Sequence, residues 1–508
     1  MLHYNAKTKF ILEDLTAAIH VSFSIRQGDP IAMLLYIIYV EPLLSYIEAK
    51  ISGLKIENFS QGSEAFCDDL NILTGNLTDL VAIDNAICKF ESVSGAVLSR
   101  GNKCKIIGFG AWKDKVNWPL GYLQPVGEVK IFGFFITNSY QSMIKRNWNY
   151  RLVKVQQTLI AWSKRFLDSI YQRVEVINTF VLSRIFYIAS VLPIPKNVRQ
   201  QIEKNIGKFI WSCSGKLLRV SLNEVKLSKD RGGLGLLCLD VMGECLRLRQ
   251  LLRLLENGDE KSLNHTLYWI GPILVDILPD MRITSFSKVS PSIYNSLAEI
   301  FTDMRISEAF TTLNWNKVTN KQLYKHRTAS FPSSKVEKDA GVSFKEIWRK
   351  LNLPVISSTA REVLYLAAHN KVPVSERLFR IGLQSDPYCL SCLEVRGALF
   401  GDTEHFFCTY KNVESTWCEI RDILVAYLDP ALASISNMDL ITLNFPKNAN
   451  DLFCVWLIGN YMDIVWKTVY VQGVHLRKER VFGYLKFKYK ADQLGARPHL
   501  PVDSPFSP

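Results

Sequence analysis

Hydrophobic and polar positions change period along the chain, and the changes divide it into segments. Residues 10–15 and 21–25 read as short extended segments, and 31–50 and 79–94 as helices. The apolar stretches 104–109 and 129–137, with Gly108, Gly110 and Gly133 in or beside them, read as strands. From about residue 143 to 255 apolar residues recur at helical spacing, with breaks at Pro193-Ile194-Pro195 and Arg231-Gly232-Gly233-Leu234-Gly235. Residues 256–343 are weakly patterned, with scattered Pro, Ser and Asn, and are expected to form a poorly defined connector. Periodicity returns from 344 to 490 and encloses a cysteine–histidine cluster. The end, 491–508, with Arg497-Pro498-His499-Leu500-Pro501 in it, is expected to be a disordered tail. No internal repeat is visible.

Composition narrows the class. A chain of 508 residues, 48% hydrophobic and 21% charged, is globular and long enough for about three domains. Eleven cysteines without a signal peptide argue against a secreted disulfide framework and for an intracellular protein, nuclear or cytoplasmic. The apolar run 31–40 is closed by Glu41-Pro42 at about half the length of a membrane span, which predicts a buried helix and no membrane partner. Net charge is +13, and residues 141–220 hold fourteen Lys and Arg against Asp168, Glu175 and Glu203, or +11 in that window. Trp148, Trp162, Tyr171, Phe180, Phe186, Tyr187, Phe209 and Trp211 are interleaved with these cations. Cations for phosphates and aromatics for stacking suit a nucleic-acid groove; a solvated helical surface over an aromatic core has the same pattern.

Two constellations carry chemistry. In Ala65-Phe66-Cys67-Asp68-Asp69-Leu70 adjacent aspartates lie between apolar runs, after Gln61-Gly62-Ser63. Side chains alternate along a strand, so the pair shares a site only at a tight hairpin bend, where carboxylates suit magnesium. An ordinary Asp-Asp turn is the alternative for the dipeptide alone. Upstream stands Arg26-Gln27-Gly28-Asp29-Pro30, followed at once by the apolar helix.

In this order the motifs resemble the palm of LINE-type (non-long-terminal-repeat) retrotransposon reverse transcriptases. The resemblance continues through Ser94-Gly95, Asn102-Lys103 and Val129-Lys130-Ile131-Phe132-Gly133. It then runs through Trp162-Ser163-Lys164-Arg165, Gln172-Arg173-Val174-Glu175-Val176, Tyr187, Leu192-Pro193, Phe209-Ile210-Trp211 and Gly232-Gly233-Leu234-Gly235. It implies an α+β fold: an incomplete right-hand polymerase palm (1–137), a helical thumb (138–255), the connector and a mostly helical C-terminal zinc-knuckle domain (344–490).

By the same resemblance Asp68 and Asp69 bind Mg2+ and, with Lys103, form the catalytic set. Arg26, Gln27, Gly28 and Phe66 contact template and nucleotide, Phe132 and Gly133 grip the primer, and Lys164, Arg165 and Arg173 bind nucleic acid. The implied partners are an RNA template, a DNA or RNA–DNA duplex and deoxynucleoside triphosphates. Departures are Cys67 for the usual alanine, Pro30-Ile31-Ala32-Met33 after the Arg-Gln-Gly loop, and Ser99 for asparagine. The family's first metal-binding aspartate comes from a strand upstream of that loop. Residues 1–25 offer Asp14 alone, so this RNA-directed DNA polymerase relative is expected to be truncated and inactive by itself.

The second constellation is Cys389-x2-Cys392, twelve residues, then His405-x2-Cys408. Three thiolates and an imidazole suit tetrahedral Zn2+, and unrelated buried cysteines are the alternative. Its surroundings, including Trp348, His369, Leu378-Phe379-Arg380-Ile381-Gly382-Leu383 and Trp417, resemble the LINE C-terminal region with its Cys-Cys-His-Cys knuckle. The family's last spacing is four residues rather than two, so Cys418 stands as a substitute for Cys408. Four protein ligands imply a structural site. The rival to the polymerase reading is a non-catalytic RNA- or DNA-binding protein derived from a retroelement, and a decayed reading frame is a third possibility.

Overall fold

The computed structural model describes residues 7–8, 19–20, 30–56, 59–66, 69–100, 103–211, 220–258, 260–275, 286–287, 290–305, 318–397, 399–427, 434–447, 450–494 and 506. The extended segments expected at 10–15 and 21–25 lie outside these residues. The chain divides into two compact units, 1–147 with 251–311, and 148–250 with 312–508.

In the first unit β1 (Lys7–Thr8) pairs antiparallel with β2 (Ile19–His20). Helix α1 (Ala32–Lys50) leads into β3 (Leu54–Ile56) and β4 (Phe59–Gln61), then β5 (Ser63–Phe66) and β6 (Asp69–Ile72), and α2 (Leu77–Ser94). The core is Ile47 of α1 against Ile83, Ala86 and Ile87 of α2, with Leu43, Leu70 and Ile72 packed on it. Asp79 fixes the turn after α1, its Oδ2 accepting from Ser52 N, Gly53 N and Thr74 Oγ1 at 2.8–3.1 Å. Burial pushes Asp79 up, but these hydrogen bonds outweigh it and hold its pKa below the ordinary carboxylate value.

The expectation of a buried helix at 31–50 is corrected. Only Ile47 of α1 is buried, while Leu34 is 62% and Ile38 69% exposed. Its residues are apolar on every side rather than along one stripe, so one packed face leaves the others uncovered. By length and composition alone α1 is also long and apolar enough to cross a membrane.

The strand expected over 104–109 contracts to β7 (Lys105–Ile106), which pairs parallel with β8 (Gln124–Pro125). The single strand expected over 129–137 is instead a hairpin of β9 (Glu128–Ile131) and β10 (Phe134–Thr137). Phe132 and Gly133 turn it, with φ of 49° and 80°. Two consecutive positive φ values define the tight turn that matches strand twist, and glycine takes the second at no steric cost. Among the described residues every sheet is two-stranded.

The second unit is helical. After α3 (Tyr140–Ser163), which belongs to this unit from residue 148, come α4 (Ile170–Val176), α5 (Leu182–Ala189), α6 (Lys196–Trp211), α7 (Leu222–Val225) and α8 (Leu239–Asn257), the last as far as residue 250. Trp148, Val155 and Leu159 form the buried stripe of α3, and Trp148 Nε1 donates to Pro193 O at 2.9 Å. Among the described residues of the region expected to be a connector, α9 (Glu260–Val275) and α10 (Ser292–Arg305) fall in the first unit, and α11 (Asn320–Ala329) and α12 (Lys335–Ala340) in the second.

Then follow α13 (Lys345–Leu351), α14 (Ser358–Ala368), α15 (Ser375–Arg380), α16 (Leu390–Arg396), α17 (Glu414–Tyr427), α18 (Asn437–Ile441), α19 (Asp451–Val465) and α20 (Lys478–Leu494). The sequence places a boundary between 138–255 and 344–490, yet 148–250 and 312–508 share one core. Tyr171 of α4 meets Tyr365 of α14 edge-on at 6.0 Å. Gly232 (φ 81°) lies so close to Trp348 that a Cβ there would come within 2.6 Å of the indole. The Gly232 carbonyl accepts from His369 Nε2 at 2.8 Å, which fixes that tautomer because a carbonyl only accepts. The tail expected from 491 is corrected in part. Helix α20 runs to Leu494, and Phe506 is buried against Phe453, Trp456 and Tyr489, while 495–505 and 507–508 lie outside the described residues.

Candidate nucleic-acid groove and metal centre

Helix α6 shows how the basic stretch folds. Val198, Ile202, Ile206, Phe209 and Ile210 recur at three- and four-residue steps and are buried, which leaves Lys196, Lys204 and Lys208 exposed on the other side. The C-terminal half of α3, the loop after it, α4 and α6 enclose an open groove of about 660 Å³ lined by Gln156, Leu159, Trp162, Arg165, Arg173, Asn205, Lys208 and Phe209 among others. Trp162 packs on Phe180 with ring centroids 4.8 Å apart, and the Arg165 guanidinium lies 4.5 Å from the Trp162 ring. A cation held on an indole face presents charge and π-surface together.

The groove thus brings together two of the three basic residues singled out from sequence. Arg173 is committed to packing, donating to Ile210 O at 2.8 Å and Leu167 O at 3.4 Å. Lys164 is exposed and does not line the groove. Of the three acids in the basic window, Glu203 accepts from Lys226 at 2.6 Å, while Asp168 and Glu175 are exposed.

The cysteine–histidine segment folds back on itself. Cys389 N donates to Leu399 O at 3.0 Å, Tyr388 and Phe400 form an antiparallel bridge, and α16 starts directly after Cys389. His405 opens a π-helical turn (His405–Thr409), its backbone N donating to Asp402 Oδ1 at 2.7 Å. Ligand atoms of Cys389, Cys392 and His405 all lie within 4.8 Å of one another. Zinc bonds of about 2.0–2.3 Å to nitrogen and sulfur fit that spacing after small side-chain adjustments. His405 Nδ1 lies 3.0 Å from Thr409 Oγ1, the kind of outer contact that orients a ligating imidazole through its other nitrogen. Burial pushes the Cys389 thiol up, as for a sulfur that metal would have to deprotonate.

Cys408 is not a member of that set. It is 1% exposed, and burial drives its thiol far above the ordinary range. A π turn advances less per residue than an α turn, so the residue three after His405 is carried off the His405 face. Cys418 is exposed and is likewise outside the set. Among the described residues, three of the four side chains expected from sequence come together, Cys389, Cys392 and His405.

Of the palm-like residues, Phe66 and Asp69 are paired at the end of the β5–β6 hairpin and Asp69 is exposed. The two residues joining those strands, Cys67 and Asp68, lie outside the described residues, as do Asp14, Arg26, Gln27 and Gly28. Lys103 is exposed, and Phe132 and Gly133 form the β9–β10 turn.

Comparison with known proteins gives a distant relative. The chain is 23% identical over 267 residues to the Transposon TX1 uncharacterized 149 kDa protein of Xenopus laevis, a match covering 47% of this chain and 18% of that protein. No protein-family model matches. The similarity supports a transposon origin for this chain. For a transposon-related chain, sequence reading missed several residues of the groove. Gln156, Asn205 and Lys208 line it, and the signal for Lys208 was present in its four-residue step from Lys204 along the polar side of α6. Thr409 beside His405 had no signal, because a π turn is not written in the periodicity.

Proposed function

We propose that this chain is part of a retrotransposon reverse transcriptase and that residues 148–250 bind nucleic acid through the groove between α3, α4 and α6. The observation that carries this reading is the groove itself: an aromatic platform, Trp162 on Phe180, overlaid by Arg165 and facing Lys208, within a window of +11. Backbone phosphates meet the cations and an unpaired base or a sugar edge meets the rings. The ordered motifs and the transposon relative support the polymerase lineage. In it Asp68 and Asp69 would supply oxygen ligands to Mg2+, and Lys103 would neutralise the triphosphate. Cys389, Cys392 and His405 would hold Zn2+, which ties the short segment 388–409 together as a structural element.

Binding is expected to be mostly electrostatic and weakly dependent on sequence. With about five to seven phosphate contacts the log–log slope of affinity against salt is roughly −4 to −6. Replacing the groove-lining Arg165 and Lys208 by glutamine reduces the magnitude of that slope by up to about two and weakens all sequences alike. Arg173 is left intact in this test because of its carbonyl contacts. Salt-independent affinity, or no binding at about 50 mM salt by folded protein, would sink the reading.

A further inference from the structure

Helix α20 carries five Lys and Arg against two acids and takes no part in the groove or the candidate metal centre. Its buried side is Val481, Leu485, Tyr489 and Asp492, at helical spacing against the rest of the unit. The opposite side carries Arg480, Lys486 and Lys490, all exposed, with Arg477 exposed just before the helix and Glu479 the exposed acid beside them. Other cations of the segment are paired: Lys467 with Asp463, Lys478 with Glu419 and Lys488 with Asp492. At about 1.5 Å per residue, Arg480 to Lys490 spans roughly 15 Å of surface. Between them Phe487 stands 72% exposed. It lies seven residues after Arg480 and three before Lys490, so all three share one face.

We infer that this face of α20 is a second nucleic-acid contact, specific for single strands, in which Arg480, Lys486 and Lys490 meet phosphates and Phe487 stacks on an unpaired base. Water gains nothing from a large exposed ring amid cations, whereas every base offers a π-face to it when it is not already stacked in a duplex. Charge selects a polyanion. An anionic lipid surface is the less suited occupant, because an interfacial helix buries a broad apolar face and the exposed large apolar side chains of α20 are Phe487 and Leu494. The inference goes beyond the groove and does not depend on it.

The test uses the full chain, a single-stranded RNA oligonucleotide, the matching duplex and vesicles containing phosphatidylserine. Phe487→Ala is expected to weaken single-strand binding about 5- to 150-fold with the salt slope unchanged, since stacking releases no counterions. Lys486→Gln with Lys490→Gln is expected to reduce the magnitude of the single-strand slope by about 1.4. The same variants in an Arg165→Gln, Lys208→Gln background keep these effects, since the two sites are separate; loss of the effects there overturns the proposal. All positions are exposed, and far-UV circular dichroism confirms that the variants fold. Unchanged affinity in Phe487→Ala, an unchanged slope in the double variant, or equal losses on duplex overturns the proposal. Loss of vesicle binding with RNA binding intact overturns it in favour of a membrane contact.

Discussion

Lys350 has no exposed surface, and its ammonium is held by backbone oxygens, donating to Leu443 O at 3.4 Å, to Phe445 O and to Pro446 O at 3.5 Å. Burial lowers its pKa to about 8, with Asp451 opposing the shift. Between about 8 and the unfolded value near 10.4, the unfolded chain binds more protons than the folded one, so stability rises with pH across that window. Lys350→Met removes this contribution. Thermal melts from pH 7.5 to 9.5 are expected to show a wild-type advantage that grows with pH, and a constant difference would refute the assignment. At the candidate metal centre, geometry divides residues that the sequence treats alike. Cys389→Ser and Cys392→Ser are each expected to abolish copurified zinc. Cys408→Ala is expected to retain it, because Cys408 stands apart from the Cys389, Cys392 and His405 set. Metal analysis of the three proteins decides, and zinc loss in Cys408→Ala would make it the fourth ligand.

At the scale of elements, the sequence is most informative where local chemistry alone determines the outcome. The apolar stripes of α3 and α6, the breaks before α6 and α8, and the pairing of Cys389 with Cys392 are all local and were readable. The β9–β10 turn was readable in principle, since Phe132-Gly133 interrupts an alternating run. Helices α11 and α12 lie in the weakly patterned stretch, although each is announced by a capping box. Thr319 with Gln322, and Ser334 with Glu337, satisfy each other's backbone N–H groups. What no local rule predicts is how much of α1 is covered, or that Gly232 must admit the Trp348 ring from more than a hundred residues away. Ser334 is buried and its partner Glu337 also accepts from Trp348 Nε1 at 3.2 Å, so the cap supports packing beyond its own helix. Ser334→Ala is expected to cost about 0.5–2 kcal/mol, the usual range for losing an N-cap. Urea denaturation followed by tryptophan fluorescence measures it, and no shift in midpoint would show the cap to be dispensable.

At the scale of the molecule, the joint between 148–250 and 312–508 is built from large buried side chains, which makes the two segments one cooperative unit. Tyr365 is fully buried, faces Tyr171 edge-on and lies 4.4 Å from the His369 ring, which in turn reaches Gly232. Ile170 N donates to Glu362 Oε2 at 3.1 Å across the same joint. Truncating such a residue removes the transfer energy of the ring and leaves a cavity, about 3–5 kcal/mol for an aromatic-to-alanine change. That loss falls on every amide whose protection requires the shared core, whatever its position in the sequence. Tyr365→Ala is therefore expected to raise amide hydrogen exchange in α4 and α5 as well as in α14 and α19. The amides of α2 rest on Ile47, Ile83, Ala86 and Ile87 in the other unit and are expected to keep their rates. Mass-spectrometric exchange at peptide resolution reads all five helices in one experiment. An increase confined to α14 and α19 would mean that the thumb-like helices hold their own core, with the Tyr171–Tyr365 contact an interface between separately stable parts.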